Sequence, residues 1–67
     1  MLAQTAEKLR RGDTFTSDDG VTWHTIAEEV MFFETAIKEP ETFLVAITTN
    51  DHQKIWLWST EDVVVLL

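Results

Sequence analysis

The side chains able to do chemistry in this chain are few and scattered. Its only imidazoles are His24, after Trp23 in a β-rich run, and His52, after Asp51 in a turn-like stretch. A general base must lie within hydrogen-bond reach of the group it deprotonates, and adjacency of Asp and His in sequence does not supply that geometry. The Asp51-His52 pair therefore reads as a solvated turn. Asp18 and Asp19 are adjacent carboxylates, and Asp tolerates the backbone geometry of tight turns. Glu28 and Glu29 are adjacent too, but on a strand they point to opposite faces and cannot share a proton. Ser17 and Ser59 read as turn-edge residues, not as nucleophiles on a strained strand-to-helix elbow. Without cysteine there is no thiol nucleophile and no disulfide. Zinc-ligand spacing, a calcium loop and a glycine-rich phosphate cradle are all lacking. These residues predict a protein that is not an enzyme and uses no metal or cofactor.

The aromatic residues carry more information. Trp56 and Trp58 alternate along a strand-like run, which puts them on one face about 7 Å apart. Burial statistics favour a core position, paired with Ile47 and Val45. The sharper reading is an exposed patch where a protein partner docks, because Trp is enriched at interface hot spots. Base stacking is a third use, but single-strand binders also need a basic groove.

Charge argues against that third use. The formal net charge is −7 over 67 residues. Residues 1–11 hold Lys8, Arg10 and Arg11 against Glu7, and the remainder holds Lys38 and Lys54 against every other acid. An acidic body repels phosphate backbones and anionic membrane surfaces, and attracts basic protein surfaces. Nucleic-acid binding is disfavoured except through Lys8, Arg10 and Arg11; mimicry of nucleic acid by the acidic body is the opposite possibility. The opening residues are not a basic stretch followed by an apolar run, so no signal peptide is expected. The apolar run at residues 63–67 falls far short of the roughly 20 residues a membrane helix needs. Both features, with the lack of cysteine, fit a cytoplasmic protein.

The elements that must position these residues can be read from sparse punctuation: two glycines and one proline. One small domain is expected, and domains of this size are marginal on their own. Residues 2–11 could form an N-terminal arm or short helix, stopped at Gly12. Residues 14–17 and 21–25 flank an Asp-Gly turn, the strongest short hairpin signal, and a three-residue loop would set Phe15 opposite Trp23. Residues 43–49 and 54–59 form a second hairpin. A two- or four-residue loop pairs Thr49 with Lys54, which sets Ile47 against Trp56 and Val45 against Trp58. Its other face then holds Leu44, Ala46, Ile55 and Leu57. Both faces of this ribbon are apolar, whereas a sheet with one wet face alternates apolar and polar. Residues 63–67 form an apolar closing strand that must be paired within the fold.

Residues 26–39 admit two readings. As a helix, Ile26, Val30, Phe33 and Ile37 form a stripe, Thr25 and Glu28 have capping-box spacing, and Pro40 is a stop. As a strand, Val30, Phe32, Phe33, Thr35 and Ile37 run to a turn around residues 38–41 and return through residues 43–49.

Four short stretches decide between them by likeness. Leu9-Arg10-Arg11-Gly12-Asp13, Gly20-Val21-Thr22-Trp23, Val45-Ala46-Ile47-Thr48-Thr49 and Ser59-Thr60-Glu61-Asp62-Val63-Val64-Val65 resemble small SH3-like (KOW-like) barrel proteins of actinobacteria and their phages. The chain departs from that pattern at residues 30–41, which are longer and more apolar, and at Asn50-Asp51-His52 in place of Asp-Gly. The resemblance implies an all-β fold, a five-stranded SH3-like barrel with a short N-terminal arm, and a binding module without catalytic residues. The alternative is an α+β fold with a helix at 26–38 laid on an antiparallel sheet.

The functional expectation is a small, acidic, non-enzymatic protein-interaction module; the resemblance makes a phage-encoded modulator of a host protein one form of it. Its contact residues are expected to be Trp56, Trp58 and Phe32 with Glu28, Glu34, Glu61 and Asp62, facing a basic or apolar protein surface. Excess apolar surface equally predicts a homo-oligomer, packed through Leu44, Ala46, Ile55 and Leu57.

Overall fold

The computed structural model describes residues 1–34 and 42–67, and the structural statements below concern those residues. They form seven strands: β1 Leu2–Thr5, β2 Thr14–Thr16, β3 His24–Thr25, β4 Met31–Phe33, β5 Leu44–Thr48, β6 Lys54–Trp58 and β7 Asp62–Leu66. No α-helix occurs among them, and a single 3-10 turn, Ala6–Lys8, follows β1. The fold is all-β, in two antiparallel sheets ordered β1-β7-β2-β3 and β4-β5-β6.

The first sheet is built around β7. Its β-branched run Val63-Val64-Val65 suits a pleated strand. β7 pairs with β1 on one side and β2 on the other, with Leu2 opposite Val65 and Phe15 opposite the same residue. The apolar closing run is thus a central strand with no free edge. Residues 2–5 are a paired strand instead of a free arm or helix, because β7 offers them a ladder. The 3-10 turn then anchors to the β6–β7 connection: the Ala6 N–H donates to the Glu61 carbonyl at 2.9 Å and the Glu7 N–H to the Ser59 carbonyl at 3.2 Å.

Residues 24–33 carry the chain from the first sheet to the second. His24 and Thr25 pair with β2, Ile26 bridges to Thr49, and Met31 pairs with Ala46. Five steps from Ile26 to Met31 face three from Thr49 to Ala46, so the strand bulges by two residues between them. This excludes a helix over residues 26–34; the rest of the alternative helix, and the turn expected at residues 38–41, lie outside the described residues. The helical stripe misleads because Ile26 and Val30 also turn inward from an extended chain, while consecutive Met31, Phe32 and Phe33 suit a strand that is apolar on both faces. The architecture is two packed sheets of seven strands, not a closed five-stranded barrel.

The core lies between the sheets: Ala6, Leu9, Phe15, Ile26, Val45, Ile47, Val63 and Val65 are buried, with Val30, Phe43, Ile55 and Leu57 packed against them.

Both hairpins pair one residue away from the expected register. Phe15 faces His24 instead of Trp23. Thr48, not Thr49, faces Lys54, which sets Ile47 against Ile55, Val45 against Leu57, Ala46 against Trp56 and Leu44 against Trp58. One device causes both shifts. Thr16 and Thr49 each close a turn with their hydroxyl, donating to the carboxylate two residues on, Asp18 and Asp51, and accepting the N–H four residues on, from Gly20 at 3.0 Å and Gln53 at 3.1 Å. The fourth residue of each turn is left-handed, Asp19 at φ 59° and His52 at φ 65°. In the second hairpin this makes a three-residue loop, Asn50 to His52, and the Thr49 N–H bonds the Gln53 carbonyl at 2.9 Å. A loop longer or shorter by one residue moves every side chain of a strand to the other face.

Candidate interaction surface

That shift decides where the tryptophans point. Val45 and Ile47 are buried, so their partners Leu57 and Ile55 turn inward and Trp56 and Trp58 turn out. The expected core pairing of Trp56 with Ile47 and Trp58 with Val45 does not occur. Beside them on the outward face stand Leu44 and Ala46 of β5, and Met31 and Phe33 of β4, which pair with Ala46 and Leu44. Met31 and Trp56 are each 53 % exposed, Phe33 43 % and Trp58 38 %. Ala46, at 5 %, forms a small floor between Met31 and Trp56. The Phe33 and Trp56 rings lean on each other across it, centroids 5.5 Å apart and inclined at 48°. The outcome is one apolar sheet face, with Thr48 and Lys54 at its polar end.

The structure regroups the residues singled out in the sequence. Trp56 and Trp58 share this face, and Phe32 does not: it turns to the other side of β4 and meets Phe43 edge-on, centroids 5.3 Å apart. Met31 and Phe33 take its place, and their alternation with Phe32 is the signal that could have found them. Glu34 is exposed directly after Phe33, and Glu28 is exposed in the bulge before β4. Asp62 belongs to the other sheet, opposite Thr5, and Glu61 precedes it in the turn after β6. The four acids therefore form no single cluster with the tryptophans. The self-association set also divides: Leu44 and Ala46 face outward, whereas Ile55 and Leu57 face the core. Lys8, Arg10 and Arg11 line a separate cleft together with Phe32.

The two imidazoles sit in different settings. His24 leans on Phe15 at a centroid distance of 5.6 Å and is half-buried, while His52 is exposed in its turn. Asp51, hydrogen-bonded by Thr49, is held below the ordinary carboxylate pKa chiefly by that hydroxyl, with smaller help from the charges of His24 and His52. Asp18 is lowered in the same way, first by the Thr16 hydroxyl and then by the Thr22 N–H. Both shifts belong to turn chemistry. Among the described residues no group of three or more His, Asp or Glu side chains is placed to hold a metal ion, and no helix is long and apolar enough to cross a membrane.

No family model, curated protein or solved structure matches this chain.

Proposed function

We propose that this chain is a small acidic protein-interaction module with no catalytic role, and that it docks a partner protein through the outer face of β4-β5-β6. One observation supports the reading: Met31, Phe33, Trp56 and Trp58 stand half-exposed on a single sheet face. Solitary exposed apolar residues are ordinary, whereas contiguous ones mark contact sites. Covering such a face contributes about 2.5 kcal/mol per 100 Å² of apolar area, before the cost of association. Two tryptophans are apt anchors for it.

The partner fits as a protein carrying an apolar anchor within a basic rim, because the net charge of −7 attracts a cationic surface and repels a second copy. A phage-encoded modulator of a host protein is one concrete form. Self-association is the second reading, favoured by a face that is apolar on all three strands. Sedimentation across a concentration series separates the two. The first predicts a monomer at low and high salt; the second predicts dimers that strengthen with salt as repulsion is screened.

Position-resolved photocrosslinking in the producing cell tests the module directly. A photoreactive residue replacing Trp56 should give one discrete adduct with a basic protein, lost when Phe33 is changed to Asp. The same probe replacing Val21, which is 83 % exposed but away from the face, should give none. Equal labelling from both positions, or none from position 56, overturns the proposal.

A further inference from the structure

We propose that Met31 is a reversible oxidation switch on the outer face of β4-β5-β6: hydrogen peroxide converts its thioether to the sulfoxide, and the oxidised face releases its partner. The inference rests on the docking role proposed above for that face. The chain has no cysteine, so Met1 and Met31 hold its only sulfur atoms. The two have different settings. Met1 precedes β1 of the first sheet and is 79 % exposed. Met31 opens β4, is 53 % exposed and stands in the row Met31-Ala46-Trp56 that crosses the apolar face.

Two features single out Met31. The first is access. Half of the side chain meets water, and peroxide is small and uncharged, so the net charge of −7 does not repel it. The second is position. Ala46 is a short floor at 5 % exposure, with Met31 on one side of it and Trp56 on the other. The Phe33 and Trp56 rings, with centroids 5.5 Å apart, hold each other beside it. Met31 is thus the flexible, polarisable member of a patch otherwise built of rings, and such a side chain adapts to an apolar partner. It is also the member that peroxide attacks fastest, because a thioether is a far better nucleophile than a phenyl or indole ring.

The step is a two-electron oxidation. The Met31 sulfur attacks one peroxide oxygen, an S–O bond forms and the O–O bond breaks. The departing hydroxide takes the proton left on the transferred oxygen and leaves as water. In the free protein the new polar group points to solvent, and the backbone pairing of Met31 with Ala46 is untouched, so the fold persists. Under an apolar partner the same oxygen becomes a buried acceptor without a donor, which opposes docking. A thiol-dependent sulfoxide reductase reverses the change, two thiols becoming a disulfide while the oxygen leaves as water.

The test uses the full chain and Met31→Leu, each carrying the photoreactive residue at position 56. Each is treated with hydrogen peroxide, cleared of it with catalase and returned to an extract of the producing cell. Peptide mass spectrometry should find Met31 oxidised at a rate comparable to that of Met1. Oxidation should lower the yield of the position-56 adduct by at least about tenfold, as one unsatisfied buried acceptor requires. Sulfoxide reductase with dithiothreitol should restore it, and Met31→Leu should give the same yield with and without peroxide. Met31 left unreacted while Met1 is oxidised overturns the switch, as does an equal loss in Met31→Leu. So does a urea midpoint of the oxidised chain lowered as far as that of Ile47→Ala, because the loss would then be unfolding. An adduct that forms before oxidation and persists after it removes the switch alone. An adduct missing from the untreated chain removes the docking role, and the switch with it.

Discussion

The two sheets share one core and present opposite outer faces. Outside the first sheet the ladder aligns Ala3 with Val64, Thr5 with Asp62, Thr14 with Leu66 and Thr16 with Val64. Thr14 and Thr25 join their hydroxyls across it at 2.9 Å. Threonine alternating with valine is how a half-wet antiparallel sheet solves its solubility problem. Outside the second sheet the same positions hold Met31, Phe33, Leu44, Trp56 and Trp58. Stability alone does not require that difference. The first sheet's outer face mixes threonine and Asp62 with Ala3, Val64 and exposed Leu66, whereas that of the second is apolar except at Thr48 and Lys54.

The sharpest way to break this comparison is to remove one inward and one outward side chain of the second sheet. Ile47 is fully buried. Ile47→Ala should cost about 2–5 kcal/mol, a large part of the stability a domain this small can have. Trp56→Ala removes a far larger side chain, yet it should cost about 1 kcal/mol or less because the ring is half in water. Urea titration of the three proteins reads both values. If Trp56→Ala lowers the midpoint as far as Ile47→Ala, the outer face is structural and the docking proposal fails with it.

A smaller effect concerns what turns the tryptophans outward. Thr49 is buried, and its hydroxyl both receives the Gln53 N–H and donates to Asp51. Thr49→Val preserves shape and strands those partners, so it should destabilise by about 1–3 kcal/mol. His52→Gly acts on the same turn with the opposite sign. Relief of a left-handed residue should stabilise by about 1 kcal/mol, less the entropy that glycine adds to the unfolded chain. If both substitutions leave the urea midpoint unchanged, the turn does not set the register.

That turn also explains how far the sequence could be read. Strand-forming runs at residues 14–25, 43–59 and 63–67 are legible because β-branched and aromatic residues cluster between recognisable turns. The all-β class follows from them. The register is a different kind of information. It depends on whether a loop has two, three or four residues, and Asn50-Asp51-His52 contains no glycine to mark the left-handed position. The paired spacing Thr16-Ser17-Asp18 and Thr49-Asn50-Asp51 is the signal that marks it. One residue of error exchanges Trp56 and Trp58 with Ile55 and Leu57, and with it the core and the candidate site. Phe32 was legible as apolar, but its separation from Trp56 depends on the β4–β5 register, which sets Phe32 opposite buried Val45 and Met31 and Phe33 opposite Ala46 and Leu44, and no local propensity records that pairing.

The mildest test compares the two Thr-x-Asp turns, one in each sheet. Asp18 and Asp51 both have carboxyl pKa values below the ordinary 3.8, owing first to the hydroxyls of Thr16 and Thr49. A carboxylate whose pKa is lower folded than unfolded supports the fold fully above its unfolded value. It loses that support as the pH falls through the folded value. Both turns should therefore contribute to acid destabilisation that begins near pH 4 and is complete only below the lowered pKa values. Carboxyl NMR titration should place both midpoints below 3.8, with Asp51 returning toward it in Thr49→Val and Asp18 in Thr16→Val. Because the two turns use the same hydrogen bonds, their responses should be similar although one supports a polar-faced sheet and the other an apolar one. A normal midpoint at Asp51 beside a lowered one at Asp18 would separate the turns, and the shared cause assigned to the two register shifts would have to be given up for the second hairpin.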